Sequence, residues 1–462
     1  MGSDAAPSAA LTWPRRAILA VFLLLLAGAA VAWLQASNPW LRAHLRHAPA
    51  PALGHLAAAA QQQGEPTSAA ESRAAIDHDL AIVRQRAQGS VSWMDRAAVG
   101  DLYLARARLT GSFDDYAAAG RAYDDAFTVA APGTGPHLER AGWNFAVHRL
   151  GAMTSDLAAV DHYAIPDAGQ QATVLGMRGD ILFYSGRYAQ ALPLYRRAEA
   201  MMPSLGAEMR LANYYARMGD PDRAADYLDQ GDARIGAPQQ QLRSFIEMRR
   251  GILDMNRGRW DMAEAHFRRA DDIFPGSWLV EEQLATVRAL KGAPGEAMAL
   301  FRRMAAQYGL PDAYDGIAGL YRAQGDFENA QRWATKAGAL WQQRMAVLPE
   351  AALGHTLDHL LAFGDPGEAL TVAQRNFALR PYGDAATGLA WAYLANHRPQ
   401  DALAAIGPTL ASGWSSAEPH VVASEAYALL GQGKQADAER AAALAINPHS
   451  LDRNPGMTWL EQ

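Results

Sequence analysis

The sequence predicts an all-α solenoid of about ten helix-turn-helix units, some degenerate, behind an N-terminal transmembrane helix. Three observations carry this reading. Short turn signals, most containing glycine, recur at near-constant spacing; a small residue follows each at a fixed distance; and an uncharged apolar run stands near the N-terminus. Half of the residues are hydrophobic and helix formers abound, whereas runs of β-branched residues are scarce. A chain of 462 residues is too long for one compact core and long enough for a row of units.

Residues 1–16 form a polar flank ending in Arg15-Arg16. Residues 17–34, AILAVFLLLLAGAAVAWL, carry no charge. As a helix they span roughly 27 Å, enough for a bilayer core. Trp33 and Trp40 fall where an interfacial aromatic belt sits. The rival reading is a signal peptide cleaved near Ala32, because Ala30-Val31-Ala32 resembles a cleavage site. Arg42 and Arg46 beyond the span nearly balance Arg15 and Arg16, so orientation rests on the layout of basic flank followed by apolar run. That layout places the N-terminus inside. The expectation is a single-pass protein of a bacterial inner membrane, in the bilayer through residues 17–34, with its C-terminal part in the periplasm. The alternative is a protein secreted to the periplasm. Residues 35–70 are rich in Ala, Pro and Gln and read as a tether, with a short helix at 53–63.

Helical periodicity resumes near Glu71 and runs to Ile446. The clearest unit is 172–203, ATVLGMRGDILFYSGRYAQALPLYRRAEAMMP: two amphipathic helices about a turn at Ser185-Gly186-Arg187, stopped by Pro203. Equivalent turns begin at Gly186, Gly219, Gly258, Gly292, Gly325, Gly364, His397 and Gly431, separated by 33, 39, 34, 33, 39, 33 and 34 residues. Five residues after each start stands an alanine, from Ala191 and Ala224 to Ala402 and Ala436. A sustained period of this size marks a solenoid, in which stacked hairpins share one continuous core.

The period slips in four places. After Gly111, the residues Ala119, Tyr123 and Ala126 come three positions late, which predicts a longer turn. Residues 137–167 keep only Gly142, Trp143, Gly151 and Ala158 of the pattern. Residues 231–240, GDARIGAPQQ, read as an inserted loop, and 337–348, AGALWQQRMAVL, as a lengthened second helix before Pro349. The last insertion predicts two sub-arrays, 71–349 and 350–449, followed by a C-terminal cap or tail at 450–462.

The repeated residues resemble the tetratricopeptide repeat (TPR). Gly179, Leu182, Tyr188, Ala191, Tyr195, Ala198 and Pro203 match its helix-packing positions, and Gly251, Trp260, Ala263, Phe267, Ala270 and Pro275 match them again. The resemblance covers about residues 95–449. It implies a concave surface, formed by the first helix of each unit, that binds extended peptides or a partner helix. The family's clamp for a terminal carboxylate needs lysines beside asparagines. Asn213 and Asn256 are present but no lysine accompanies them, so binding of that type is not expected.

Repeat position places Asp180, Phe183, Asn213, Arg217, Met248, Met255 and Asn256 on the concave face, with Glu282, Asp315, Arg322, Asp358, Trp391 and Glu425 further along. Such a mixture of charges, amides and aromatics suits peptide recognition; the bland reading is a solvated face. His355 and His359 share a helix face four residues apart, the spacing of two ligands to one metal, and His397 offers itself as a third. No glutamate follows His355 as in H-E-x-x-H, so the pair reads first as ordinary hydrogen-bonding histidines, and metal binding or metal-dependent catalysis is the alternative. There is no phosphate-binding glycine loop and no G-x-S-x-G elbow, and cysteine is absent. Net charge is −6 with no basic cluster, against nucleic-acid binding. The expectation is a non-enzymatic scaffold or adaptor without cofactor, whose partner is a protein or peptide.

Overall fold

A computed structural model describes residues 64–163, 167–236 and 239–452, all within one compact unit, 56–462. The apolar run 17–34, the tether up to residue 63 and the tail from residue 453 lie outside the described residues. Among the described residues no helix is long and apolar enough to cross a membrane.

The described residues form 21 helices and no strand. A leading helix, α1 (Ala69–Ala87), precedes ten hairpins. The first five are α2 (Trp93–Thr110) with α3 (Phe113–Phe127), α4 (His137–Ala146) with α5 (Leu150–Val160), α6 (Ala168–Tyr184) with α7 (Tyr188–Met201), α8 (Leu205–Arg217) with α9 (Pro221–Arg234), and α10 (Gln240–Met255) with α11 (Trp260–Ile273). The second five are α12 (Trp278–Leu290) with α13 (Pro294–Tyr308), α14 (Pro311–Ala323) with α15 (Phe327–Val347), α16 (Pro349–Phe363) with α17 (Pro366–Leu379), α18 (Gly383–Ala395) with α19 (Pro399–Ala411), and α20 (Ala417–Leu429) with α21 (Gly433–Ile446).

The turn signals in the sequence mark a backbone requirement. Nine of the ten hairpin turns hold a residue at positive φ, which ends the first helix in the left-handed conformation. Seven of these are glycines; His148 and His397 take the same conformation at φ 64 and 57. Packing explains the other repeated residues. A Cβ on Gly179 would sit 2.5 Å from the Tyr195 ring, and one on Gly251 would sit 2.4 Å from Phe267. Each glycine lets the ring of the second helix lie against the backbone of the first.

The irregularities resolve physically. The turn at Gly111 is not longer: α2 runs to Thr110 and α3 starts at Phe113, so the late residues follow extra helix rather than extra loop. Residues 231–234 are not a loop either. They continue α9 to Arg234, and a Cβ on Gly231 would stand 3.1 Å from Leu205. The expected lengthening before Pro349 is present as the 21-residue α15. Helix α15 packs on α16 as other neighbours do, and the array continues through residue 350.

One feature exceeds a simple solenoid. Each turn in the first five hairpins docks onto the link that follows the hairpin five places further along. Gly111 lies against Leu310, Gly186 against the Pro381 carbonyl, Gly219 against Ser415 and Gly258 against Asn447. Arg149 pairs with Glu350 at 3.2 Å across the same seam. The Ala69 amide donates to the Pro275 carbonyl at 3.0 Å, the Ser415 amide to Arg217 at 2.7 Å, and the Gly383 amide to the Tyr188 hydroxyl at 2.8 Å. Trp260 stacks on His449 with 3.9 Å between ring centres. Two successive superhelical turns of the array are therefore in contact along a polar and aromatic seam.

Candidate functional site: two adjoining interior cavities

The first helices of the hairpins line the interior, and stacking of the two turns encloses two cavities there. The first, of about 360 Å³, lies among α12, α14, α16 and the start of α18. The second, of about 500 Å³, lies among α8, α10 and the N-terminus of α20. Asp384 lines both.

The first cavity is acidic. Asp312 pairs with Arg344 at 3.3 Å. Asp315 accepts from Trp341 Nε1 at 2.7 Å and bonds His359 Nδ1 at 2.7 Å. Glu282 and Asp358 line the same space, their side chains without a hydrogen bond or ion pair among the described residues. Burial, then the nearby Asp312, push Glu282 up to about 8 against the pull of Arg344. Burial holds Asp358 well above the usual carboxylate range, helped by Glu418, Asp312, Asp315 and Asp384. At the far wall, burial drives His148 down to about 3, with Arg380 and His355 adding to the effect, so its ring is neutral and its Nδ1 lacks a partner. Arg380 is only 5 % exposed; it donates to Asn376 at 3.2 Å and leaves its Nε unpartnered.

The second cavity is basic. Arg217 pairs with Asp384 at 3.0 Å across the seam. Beside it, Arg249 donates to Asn213 at 3.2 Å and has no carboxylate partner. Burial, then the neighbouring Arg217, hold the Arg249 guanidinium below its ordinary value. Arg257 and Asn256 line the same cavity, their side chains without a hydrogen bond or ion pair among the described residues. Its second carboxylate, Glu418, accepts from Trp391 Nε1 at 3.0 Å.

The concave residues read from the sequence divide accordingly. Glu282, Asp315, Arg322 and Asp358 line the first cavity; Asn213, Arg217, Met255 and Asn256 line the second. Trp391 and Glu425 line neither. Asp180 and Phe183 are corrections. Asp180 is buried, taking Tyr195 at 3.0 Å and Arg210 at 2.8 Å, because Arg210 of the next hairpin reaches back to it. Phe183 is buried in the aromatic seam against Tyr188 and Trp414, and Met248 in the core of its hairpin. His359 is tied to Asp315, and His355 stacks on Trp341 and approaches Asp312 at 3.4 Å. Among the described residues no group of three or more His, Cys, Asp or Glu is arranged to hold a metal. Sequence reasoning missed Arg249, Arg257, Arg380, His148 and Asp384. Arg249 had a signal, since it lies one turn of helix from Met248's cavity-facing neighbour Ile252. Asp384 had none, because its partner Arg217 is 167 residues away.

The ionised form of Glu282 is disfavoured in the fold, and this has a measurable sign. The folded chain keeps this proton up to about pH 8, whereas an ordinary glutamate releases it near 4.5. Between those values the native state binds more protons, so stability falls as pH rises through the window. Glu282→Gln removes that loss. Its Tm is expected to match the wild type near pH 4.5 and to exceed it by a few degrees near pH 8. Tm curves that stay parallel across this range refute the assignment.

Hairpins closed by left-handed residues, with glycine of one helix under an aromatic ring of the other, define a TPR-type helical-repeat solenoid. No protein-family model matches the sequence, and no curated protein matches it. Among solved structures, the fold is similar to that of yeast Tom70, at 14 % identity and TM-score 0.37, covering 80 % of this chain and 93 % of that one. It is also similar to a tetratricopeptide repeat protein from Parabacteroides merdae, at 13 % identity and TM-score 0.32, covering 56 % and 98 % of the two chains. A third is PilW, described as a type IV pilus biogenesis factor, at 21 % identity and TM-score 0.32, covering 47 % and 96 %.

Proposed function

We propose that this protein is a membrane-tethered scaffold or adaptor that binds a partner protein or peptide in the interior of its helical array. Residues 17–34 are the membrane anchor, residues 35–70 the tether, and the array faces the periplasm. The observation that supports binding is the set of ionisable side chains lining the interior without an ion-pair partner among the described residues: Glu282 and Asp358 at one end, Arg249 and Arg257 at the other. Charges held in partly buried space are costly unless paired, so a fold that keeps them supplies a site for a complementary ligand. Tethering raises the local concentration of the array for membrane-associated partners.

A photo-crosslinking residue at Asn256, in the basic cavity, is expected to trap a discrete partner in cells. The same residue at Gln331, on the outer face of α15, is expected not to. Equal trapping at both positions sinks the reading. Topology is checked with alkaline phosphatase fused after Gln462, expected to be active; a fusion active only as a cytoplasmic reporter refutes the periplasmic placement.

A further inference from the structure

The first cavity is lined by many ionisable groups, yet their charges are matched. Asp312 is answered by Arg344, Asp315 by His359 and Asp384 by Arg217. Burial disfavours the ionised forms of Glu282 and Asp358. Arg322 and Arg380 stand in the same wall, so an entering cation is repelled, while an entering anion meets Asp312, Asp315 and Asp384. The lining selects against full charge of either sign.

Hydrogen-bonding capacity, by contrast, is left over. The carboxyls of Glu282 and Asp358 and the hydroxyls of Tyr184 and Tyr382 make no hydrogen bond or ion pair among the described residues. All four residues are half-buried, and none of these oxygens is sealed from the cavity. Arg380 is 5 % exposed; Nη2 donates to Asn376, and Nη1 has no acceptor among the described residues. A protonated carboxyl and a phenol each donate and accept at one oxygen-bearing group, as an alcohol does. Aromatic surface lies beside them. Tyr184 meets Tyr382 edge-on at 5.0 Å, and His355 lies parallel to Trp341 at 5.6 Å while remaining exposed itself. Rings next to unspent donors and acceptors suit a saturated ring that carries hydroxyls: its C–H faces lie on the aromatic rings and its hydroxyls meet the polar groups. The volume of about 360 Å³ is at the low end for ligand sites, which run from about 300 to 1,000 Å³, and suits one small ring.

We infer that the first cavity binds one neutral polyhydroxylated ring, a monosaccharide or cyclitol, through Glu282, Asp358, Tyr382 and Arg380. This ligand is separate from the partner protein or peptide, whose crosslinking probe at Asn256 lies in the second cavity.

The test is calorimetric titration of the full chain in a zwitterionic detergent that contains no sugar. Methyl glucoside, methyl galactoside, N-acetylglucosamine and myo-inositol are the neutral probes. Glucosamine and glucuronate add a charge, and cyclohexanol lacks most of the hydroxyls. At least one neutral probe is expected to bind with a Kd of about 1 mM or tighter, and at least about tenfold tighter than the charged probes and cyclohexanol. Asp358→Leu is expected to weaken that probe at least about tenfold, whereas Asp358→Asn, which stays neutral and keeps a donor and an acceptor, is expected to remain within about threefold of the wild type. Tyr382→Phe removes one hydroxyl, keeps the ring that packs in the wall, and is expected to weaken binding about tenfold, so the test does not depend on the folding of the leucine variant. Absence of binding by every neutral probe at about 10 mM, preference for a charged probe or for cyclohexanol, or undiminished binding by Tyr382→Phe overturns the inference. Equal losses in Asp358→Asn and Asp358→Leu overturn it too, because the site would then need a carboxylate charge. Discrete crosslinking at Asn256 without sugar binding overturns this inference alone; sugar binding without crosslinking overturns the partner reading alone.

Discussion

Trp414→Ala is expected to cost about 3–5 kcal/mol and to swell the array. Trp414 is 3 % exposed and sits in the link between α19 and α20, yet its neighbours belong to distant hairpins. Its ring lies 5.3 Å from Tyr188 and 5.9 Å from Phe183, and it covers Gly383 so closely that a Cβ there would stand 2.2 Å away. Truncation leaves a cavity that spans the seam. The seam can relieve it by parting, which a cavity inside one hairpin cannot do. Phe267→Ala is therefore the control: Phe267 is as well buried but packs within its own hairpin against Gly251. Both variants are expected to lose stability in denaturant, and only Trp414→Ala to raise the radius of gyration in X-ray scattering. Equal radii for the two refute the role given to the seam.

The second large effect is expected from Asp156→Ala. Asp156 is 2 % exposed and joins the two shortest helices of the array, α4 and α5. Its carboxylate accepts from Arg140 at 2.7 and 3.0 Å and from Asn144 at 2.9 Å, and it contacts His137 at 3.2 Å. Removing it strands the buried Asn144 amide and leaves the partly buried Arg140 guanidinium only the exposed Asp124 at 3.2 Å, a loss of about 3 kcal/mol. Asp156→Asn keeps the shape and one acceptor oxygen, and is expected to lose about half as much. Denaturation followed by circular dichroism measures both. An alanine variant within about 0.5 kcal/mol of the wild type refutes the assignment.

This same hairpin shows what the sequence conceals. Its turn residue is His148 in place of glycine, and a polar knot around Asp156 binds its helices in place of an aromatic ring over glycine. The signals that made the other units readable are mostly absent for a physical reason, and 137–167 kept only a trace of the pattern though α4 and α5 form a hairpin like their neighbours. The regular units were legible because a glycine under a ring and a left-handed turn are local demands, met within some twenty residues. Inner-face positions such as Glu282 and Asp358 were legible because helical periodicity decides which way they point. The pairing of Arg217 with Asp384 and the burial of Phe183 were not, since both depend on how far the superhelix rotates before it meets itself.

That meeting also fixes the length of the array. In an open solenoid each unit touches only its neighbours, so evolution can add or drop one at small cost. Here the turns at Gly111, Gly186, Gly219 and Gly258 each find their counterpart five hairpins ahead. Excising one hairpin from the middle, α12 with α13 for example, would present every one of these turns with the wrong link at the same moment. The chain in effect counts its own repeats, and duplication or deletion of a single unit is closed to it as a route of change.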